Sequence, residues 1–367
     1  MFTTLLAGLI GIGVAVPGHQ PQMARDGERT FLVVARDRRV GVLKSSDAGR
    51  TFREATPIHV SGRMAAGLHR GPRVAVTSTA VLVAVVAGPQ GGGKDGDIVL
   101  YRSTDDGARW SAPVVVNDVP GAAREGLHAI AATPGGLVMI AWLDLRDTGT
   151  RLYGAVSRDH GATWSTDTLV YASPDGAICE CCHPSVAADG EASLALMFRN
   201  HIAGSRDMYV TRSSDGRTFT QASKQGQGTW KLDACPMDGG GVVVDSRGVS
   251  SVWRRGSAII LVRPGAPEHQ VGIGRDPVVS AVPAALDLAW ITPDGIILQR
   301  GTESRLIGVG RSAALLAFES HSLLAWEQHG SVVTQVVPRG ERGRGQIRGT
   351  GSRRPGTGDR QAAVGIR

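Results

Sequence analysis

"STDDGARW", residues 103–110, decides the fold, because close copies of this stretch recur along the chain. The copies are SSDAGRTF at 45–52, SRDHGATW at 157–164 and a shortened SSDGRTF at 213–219, with starts 58, 54 and 56 residues apart. In each copy the Ser and Asp side chains can accept backbone hydrogen bonds of a tight turn, and the Gly supplies a positive φ. Turn chemistry therefore predicts a structural role for four aspartates: Asp47, Asp105, Asp159 and Asp215.

Pairs of apolar strands precede these turns and continue along the chain after the turns stop. In one pair, GLVMIAWLD at 136–144 is followed by RLYGAVSRD at 151–159. Repeats of this length, rich in short strands and without helical periodicity, are typical of a β-propeller. Seven units can be aligned at the end of their second strand, and the aligned residues are Ala35, Ala87, Trp142, Phe198, Trp253, Trp290 and Trp326.

We therefore predict an all-β chain that forms a single β-propeller of seven blades over residues 19–338. Because no unit can bury both faces of its small sheet alone, the ring must close into one domain. Closure is expected between residues 22–34 and the last strands at 323–337. Six blades is the competing count, since the short final units could merge.

The two ends of the chain differ from this body. Residues 2–16 form an uncharged, largely apolar run that is too short for a membrane span. The run fits the core of a signal peptide over residues 1–18, although no positive charges precede it, and it predicts export to the periplasm or the exterior. A buried first strand is the alternative. Residues 339–367 are rich in Gly and Arg and poor in apolar residues, which predicts a disordered basic tail.

The charge of the chain is concentrated in that tail. The formal net charge is +7, and the tail holds eight arginines against Glu341 and Asp359. The near-neutral body therefore offers no electrostatic basis for binding nucleic acid or an acidic membrane. An RNA-binding role for the tail is a weaker alternative, because the tail lacks aromatic residues that would stack on bases.

The four turn motifs resemble the Asp-box, or BNR, repeat of the sialidase superfamily, most closely in the first three copies. The resemblance implies a propeller but not a sialidase, since Asp boxes also occur in non-hydrolytic propellers. Sialidases hold the substrate carboxylate with an arginine triad, whose nearest counterpart here is Arg70 and Arg73 in HRGPRVAV. None of the four tyrosines, at 101, 153, 171 and 209, stands where a sialidase nucleophile is expected, so no catalytic residue is assigned.

The segments that lead into the first strands should rim one mouth of the central channel. They bring cysteines, histidines and a few other polar residues to near-equivalent positions in neighbouring blades. Thiolate, imidazole and thioether ligands together favour Cu(I) or Zn(II) as a cofactor. The predicted metal ligands are Cys179, Cys181, Cys182, Cys235, His183, His128 and His69. The other predicted ligand-binding residues are Arg70, Arg206, Met237 and Asp238.

Three interpretations of the cysteines stay open at this point. In an exported protein they can form structural disulfides, for example between Cys235 and a member of the cluster. They can also bind a metal or act as a redox-active dithiol. The compact Cys-x-Cys-Cys spacing is expected to let only one or two of the clustered thiolates reach a single tetrahedral ion.

Three classes of function follow for a glycan, small-molecule or protein ligand at the mouth. The leading one is a binding protein with a soft-metal or disulfide-ordered site. A divergent sialidase-like glycoside hydrolase would need paired carboxylates, of which Glu125, Glu180 and Asp238 are nearest. A protein-interaction scaffold is the third. Arginines that follow second strands are expected on the opposite face, and they are Arg146, Arg199, Arg254 and Arg255.

Overall fold

The computed structural model describes residues 12–190, 192–283 and 285–339. Within them the chain contains strands and turns but no helix, and hence no helix that could cross a membrane. Seven sheets surround one axis, which confirms the predicted seven-bladed propeller. The first blade contains β2 (His19–Asp26), β3 (Arg29–Arg36), β4 (Arg39–Ser45), β5 (Arg53–Glu54) and β6 (Ile58–His59).

The next three blades carry the remaining turn motifs and the cysteine cluster. In blades 3 to 6 the four strands pair antiparallel in chain order from the channel outward. Blade 2 contains β7 (Arg63–Met64), β8 (Arg73–Val76), β9 (Val81–Gly88), β10 (Asp97–Ser103) and β11 (Val114–Val115). Blade 3 contains β12 (His128–Ala132), β13 (Val138–Asp144), β14 (Arg151–Ser157) and β15 (Thr168–Tyr171), and blade 4 contains β16 (Ser185–Asp189), β17 (Ser193–Arg199), β18 (Met208–Ser213) and β19 (Ser223–Lys224).

The last three blades lack the Asp-type turn, as the sequence indicates. Blade 5 contains β20 (Gly241–Asp245), β21 (Gly248–Arg255), β22 (Ala258–Val262) and β23 (His269–Ile273), and blade 6 contains β24 (Arg275–Val282), β25 (Ala285–Thr292), β26 (Gly295–Arg300) and β27 (Glu303–Gly308). Blade 7 contains β28 (Arg311–Ala317), β29 (His321–Gln328) and β30 (Ser331–Pro338), and it is completed by β1 (Ile12–Pro17) from the start of the chain.

The ring closes through this exchanged strand. β1 pairs antiparallel with β30, in a register that sets Ala15 opposite Val333. The predicted closing segment, residues 22–34, instead forms the first hairpin of blade 1, so the closing strand lies upstream of it and of the predicted start at residue 19. Residues 12–17 thus form a strand in which Val16 is buried but Gly13, Ala15 and Pro17 are exposed, whereas the alternative to a signal peptide was a buried first strand.

The predicted terminal segments lie largely outside the described residues, which exclude 1–11 and 340–367. The export prediction and the predicted disorder of the tail therefore stay predictions. The first tail residue, Arg339, is held in the fold, since its guanidinium donates to the buried Asp287 carboxylate at 2.7 and 2.9 Å.

The hydrophobic core lies between the blades, where consecutive sheets pack face to face. One apolar cluster joins blades 2 and 3, and others join blades 3 and 4 or blades 4 and 5. The aromatic residues of the sequence alignment fill these interfaces, and Trp142 and Phe198 are completely buried. The seven aligned positions all fall on the second strand of a blade, as predicted.

The turn motifs have the hydrogen bonds expected of Asp boxes. Asp159 accepts bonds from the Thr163 hydroxyl at 2.6 Å and the Ser157 hydroxyl at 2.8 Å. Partial burial opposes ionisation, but these bonds and those from backbone amides lower the pKa of Asp159 to about 2. Gly161 has φ of +78°, and a Cβ there would lie 2.4 Å from Leu82, so glycine is required.

Replacing Asp159 with Ala should reduce the free energy of unfolding by about 1–2 kcal/mol, because several turn hydrogen bonds are lost. Urea unfolding would measure the change, and ligand binding should be unaffected. Asp294→Ala is the matched control, since Asp294 is exposed in the β25–β26 hairpin of a blade without an Asp box. Full stability of the Asp159 variant, together with lost ligand binding, would contradict a structural role.

Candidate functional site

A ring of strained residues marks one mouth of the channel. Five non-glycine residues in first strands or in the segments just before them have positive φ values between 48° and 60°. Such conformations cost roughly 1 kcal/mol or more each and are concentrated at functional sites. They are Gln20, His69, Met237, Asp276 and Ser312, one from each of five blades.

Four of these residues line a central cavity of about 320 Å³. Residues from all seven blades contribute to its wall, so the cavity lies on the propeller axis. Its polar groups include Arg70, Arg73 and His183. Small apolar residues such as Ile130 and Val242 form the rest, which makes the cavity suited to a small polar ligand.

Two imidazoles stack at this mouth. The rings of His69 and His183 lie 4.5 Å apart between centroids, at an interplanar angle of 28°. His69 Nε2 lies 3.1 Å from Asp276 Oδ1, and His183 Nε2 lies 3.2 Å from the Gly240 carbonyl. Burial and the neighbouring His69 lower the pKa of His183 well below its ordinary value, so His183 is neutral.

Asp238 lies beneath the stacked rings and is almost completely buried. Burial and the nearby Asp276 carboxylate raise the pKa of Asp238. Its Oδ2 accepts the Asp276 backbone N–H at 2.9 Å and lies 3.1 Å from Arg254 Nε, but at an angle unsuited to a hydrogen bond. Asp238 therefore links blades 5 and 6. Its Oδ1 is buried and has no hydrogen-bond partner among the described residues.

The three clustered cysteines meet beside this mouth. A tight turn at residues 180–181 reverses the chain after Cys179, whose N–H donates to the Arg199 carbonyl. The Sγ atoms of Cys179, Cys181 and Cys182 lie 3.4, 3.6 and 3.9 Å from one another. All three side chains are buried, and their sulfurs lie close enough together for one ion to contact all of them, whereas the sequence was expected to let only one or two reach it; the number that bind stays a prediction.

One sulfur of the cluster is predisposed to be a thiolate. Hydrogen bonds with the Cys181 and Cys182 thiols and the facing Arg206 guanidinium lower the pKa of Cys179, against the effect of burial. Arg206 Nη1 donates to Cys179 Sγ at 3.2 Å. The same interactions raise the pKa of Cys181, and burial raises the pKa of Cys182 to about 12. Within the cluster, Cys179 is therefore the thiol that ionises most readily.

A second arginine, Arg199, lies against the cluster from inside. It is 1% exposed, and it donates to the carbonyls of Asp238 and Arg254 at 2.9–3.1 Å and to that of Arg206 at 2.7 Å. No carboxylate oxygen lies within salt-bridge distance of it among the described residues, but the buried Asp238 carboxylate and the Cys182 sulfur both lie near enough to interact with its charge. A buried cation is costly unless such groups face it.

Arg199 and Arg254 lie on the same face of the ring as the cysteines, so the prediction that placed them on the opposite face is wrong. Both follow second strands and were expected on the far side of the ring, but both reach Asp238 at the mouth. In an antiparallel hairpin the end of the second strand lies beside the start of the first, as the pairing of Gly241 with Val252 shows. The loops after second strands therefore open on the cysteine face.

Met237 and Cys235 come from the long loop before β20. Met237 packs against the three cysteines, so a thioether adjoins the thiols. Cys235 is exposed, and all four cysteines are free, so the structure holds no disulfide of the predicted kind. The cluster that could hold a metal consists of Cys179, Cys181 and Cys182 alone within the described chain, without Cys235 or the histidines.

His128 is buried in the core and does not reach the cluster. It is the first residue of β12, where its Nε2 lies 3.2 Å from the Ala84 carbonyl of blade 2. Complete burial, with Arg73 nearby, lowers its pKa to about 3. His69 and His183 reach the cavity instead, so the predicted seven-ligand set divides into a thiol cluster, an imidazole pair, a core histidine and an exposed thiol.

The remaining predicted polar residues do not share one environment. Arg70 donates to the Glu125 carbonyl at 2.7 Å and pairs with the Glu125 carboxylate, whose pKa is raised by burial. Glu180 is exposed in the turn of the cysteine loop. The buried Arg73 donates only to carbonyls, including those of His128 and His69, and burial lowers its pKa to about 10.

Part of the chain matches a known repeat family. Residues 69–228 match the BNR repeat-like domain family. The chain is therefore a seven-bladed β-propeller that is similar to the BNR repeat-like family over less than half of its length. Its boxes and seven blades fit the sialidase superfamily. No curated protein sequence matches the chain significantly.

Solved structures similar to this propeller are carbohydrate-active enzymes. Penicillium chrysogenum α-L-arabinanase complexed with arabinobiose is 14% identical with a TM-score of 0.54, and 90% of this chain and 98% of that chain are covered. The Fusarium graminearum GH93 α-L-arabinofuranosidase with arabinobiose has 14% identity, the same coverage and a TM-score of 0.51. An ulvan lyase of polysaccharide lyase family PL25 is 10% identical, with coverage of 90% and 96% and a TM-score of 0.56. At these identities the similarity shows the fold alone.

The sequence analysis overlooked or misplaced three residues of this mouth. Asp276 was overlooked because nothing in GIGRDPVVSA marks the bulge that turns it toward His69. Arg73 was noticed only as a poor sialidase match, and Arg199 was placed on the wrong face. A signal existed for Arg199, since an arginine at the end of a buried strand needs a partner.

Proposed function

We propose that this propeller binds one Cu(I) ion through Cys179, Cys181 and Cys182, with Met237 as the fourth ligand. The observation that carries the proposal is the set of three buried sulfurs 3.4–3.9 Å apart. Thiolates bound to one tetrahedral ion at about 2.3 Å lie about 3.8 Å from one another. The cluster therefore already has close to the spacing that a bound ion would impose.

The neighbours of the cluster favour Cu(I) over Zn(II). Thiolate and thioether ligands together select Cu(I), and the thioether is Met237. Three thiolates around a monovalent ion carry a net charge of −2, which the guanidinium groups of Arg199 and Arg206 can balance. Zn(II) with the same three thiolates carries a net charge of −1, which balances one guanidinium group rather than two.

Loading the site should release protons. Cys179 is predisposed to be ionised, whereas Cys181 and Cys182 hold their protons because their pKa values are raised. Metal binding needs all three as thiolates, so about two protons leave per ion. Affinity for copper should accordingly increase as the pH rises.

Anaerobic titration of the reduced protein with Cu(I), in competition with bathocuproine disulfonate, tests the proposal. We expect one tightly bound Cu(I) per chain and weaker binding of Zn(II). Met237→Leu should weaken Cu(I) binding, while the matched variant Met23→Leu, at a partly buried methionine of blade 1, should leave it unchanged. Absence of stoichiometric Cu(I) binding, or equal effects of the two methionine variants, would contradict it. The export predicted from the apolar run stays a prediction.

A carbohydrate ligand in the central cavity is the second candidate. It is favoured by the hydrogen-bonding side chains of Gln20, His69, Asp276 and Ser312 around a volume of about 320 Å³. The arabinobiose complexes of two similar structures make that disaccharide the first probe. Saturable heat of binding that is lost in Asp276→Ala would support this candidate.

Sialidase activity is not expected. None of the four tyrosines lines the central cavity, and Tyr171, for example, accepts a hydrogen bond from Asn200 Nδ2 near the outer strand of blade 3. A sialidase nucleophile pair is therefore missing from the described chain. Incubation with a fluorogenic sialoside should give no turnover. Hydrolysis that a single carboxylate or tyrosine substitution abolishes would overturn this prediction.

A further inference from the structure

We infer that Cys235 is the exchange ligand through which Cu(I) passes from a thiol-bound donor to the buried cysteine cluster. This inference rests on the proposed function. The cluster itself is poorly accessible, since Cys179, Cys181 and Cys182 are only 1%, 7% and 1% exposed. A donor that carries Cu(I) on its own thiolate cannot place that sulfur against a buried cluster. An exposed thiol next to the cluster solves this access problem.

The loop that carries Cys235 is anchored at both ends by hydrogen bonds from arginines near the cluster. Residues 233–235 are all exposed and form a short arch between two anchored positions. On one side, Arg206 Nε donates to the Leu232 carbonyl at 3.2 Å. On the other side, Arg254 Nη2 donates to the Pro236 carbonyl at 2.7 Å. Arg206 also donates to Cys179, so one end of the arch is anchored by the arginine that contacts the cluster.

Chain connectivity limits how far Cys235 can be from the site. Met237 packs against the three cysteines, and Cys235 is two residues before it. Two residues span at most about 7 Å of chain. The Cα of Cys235 therefore lies within about 7 Å of the Cα of Met237, the proposed fourth ligand.

Arg206 connects the buried cluster and the arch. Its Nη1 donates to Cys179 Sγ at 3.2 Å, and its Nε donates at 3.2 Å to the carbonyl of Leu232, three residues before Cys235. The guanidinium group therefore contacts both the cluster and the loop that carries the outer thiol. An arriving Cu(I) takes the position at Cys179 that the Arg206 N–H occupies in the metal-free protein.

The transfer is a ligand exchange without a redox step. A Cu(I)–S bond to Cys235 forms while the bond to the donor thiolate breaks, and the proton of Cys235 passes through solvent to the released donor thiolate. Bonds from Cu(I) to Cys179, Cys181 and Cys182 then replace the bond to Cys235, whose thiolate takes up one proton from the solvent. Protons displaced from the cluster thiols go to the buffer, and copper stays in the +1 state throughout.

Stopped-flow transfer from a Cu(I)–glutathione complex to the full, reduced chain under anaerobic conditions tests the inference. We expect Cys235→Ser to slow the transfer by about tenfold, because the outer nucleophile is lost. The equilibrium affinity, measured by chelator competition, should stay within about twofold, because Cys235 is not a final ligand. Ala234→Ser, at the exposed neighbouring position on the same arch, is the matched control and should transfer at the wild-type rate.

The outcomes separate this inference from the proposed function. An unchanged transfer rate in Cys235→Ser, with normal equilibrium binding, overturns the exchange role and leaves the copper site intact. A Cys235→Ser variant that loses equilibrium affinity also overturns it, because Cys235 would then be a permanent ligand. A wild-type chain that takes up no Cu(I) at equilibrium overturns both proposals.

Discussion

Replacing Cys179 with Ser is expected to reduce Cu(I) affinity by at least about 100-fold. Even outer-shell partners of metal ligands contribute 10–100-fold to affinity, and Cys179 is a direct ligand in the proposed site. It is also the sulfur predisposed to be ionised, because Arg206 faces it. The variant thus loses both a ligand and the first thiolate that an arriving ion meets. Competition with a Cu(I) chelator measures the change.

The fold should tolerate this substitution. A serine hydroxyl is slightly smaller than the thiol and can accept the Arg206 hydrogen bond, so unfolding by urea should be nearly unchanged. Cys235→Ser is the matched control for the equilibrium measurement, because it removes an exposed thiol on the same face. Wild-type affinity in Cys179→Ser would show that the three sulfurs do not bind the ion together.

Replacing Arg199 with Met should destabilise the fold by about 3–5 kcal/mol, the largest stability effect we expect outside the apolar core. Its guanidinium joins the carbonyls of Asp238, Arg206 and Arg254, and methionine leaves all three without that donor. Because these carbonyls belong to blades 4 and 5, the loss also loosens the contact between two blades. A lower urea midpoint with an unchanged m-value would be the signature.

Arg212→Met provides the comparison for this variant. Arg212 is exposed on β18 of the same blade and its guanidinium makes no hydrogen bond among the described residues. Its replacement should change the unfolding free energy by less than about 0.5 kcal/mol. Similar small effects of both variants would mean that water replaces Arg199 as donor, and that the mouth is more hydrated than its burial indicates.

The sequence was sufficient for the architecture because propellers repeat. Four Asp boxes and seven buried residues at equivalent positions located every blade, including the three without a box. The same register correctly brought Cys179, Cys181 and Cys182 to the mouth beside Met237. These predictions depended only on the spacing of strands, which hydrophobic patterning records directly.

Side-chain direction was harder to predict than position. His69 and His128 occupy similar places in their repeats, but His69 lies in a left-handed loop before β8, whereas His128 is already in β12. Because successive strand residues point to opposite faces, a shift of one residue turned His128 into the core. The bulge that directs Asp276 to His69 likewise depends on backbone strain, for which the sequence has no distinct signature.

The exchanged strand β1 has a consequence for the folding of the chain. It pairs residues such as Ile12 and Gln335, so the last blade can be completed only when almost the whole chain is available. Contacts so distant in sequence form slowly, since the entropy of closing a very long loop must be overcome first. Proteolytic removal of residues 1–18 would delete this pairing altogether and expose β30 as an open sheet edge, a known template for intermolecular pairing. Nascent or trimmed chains should therefore be the forms of this protein most prone to aggregate.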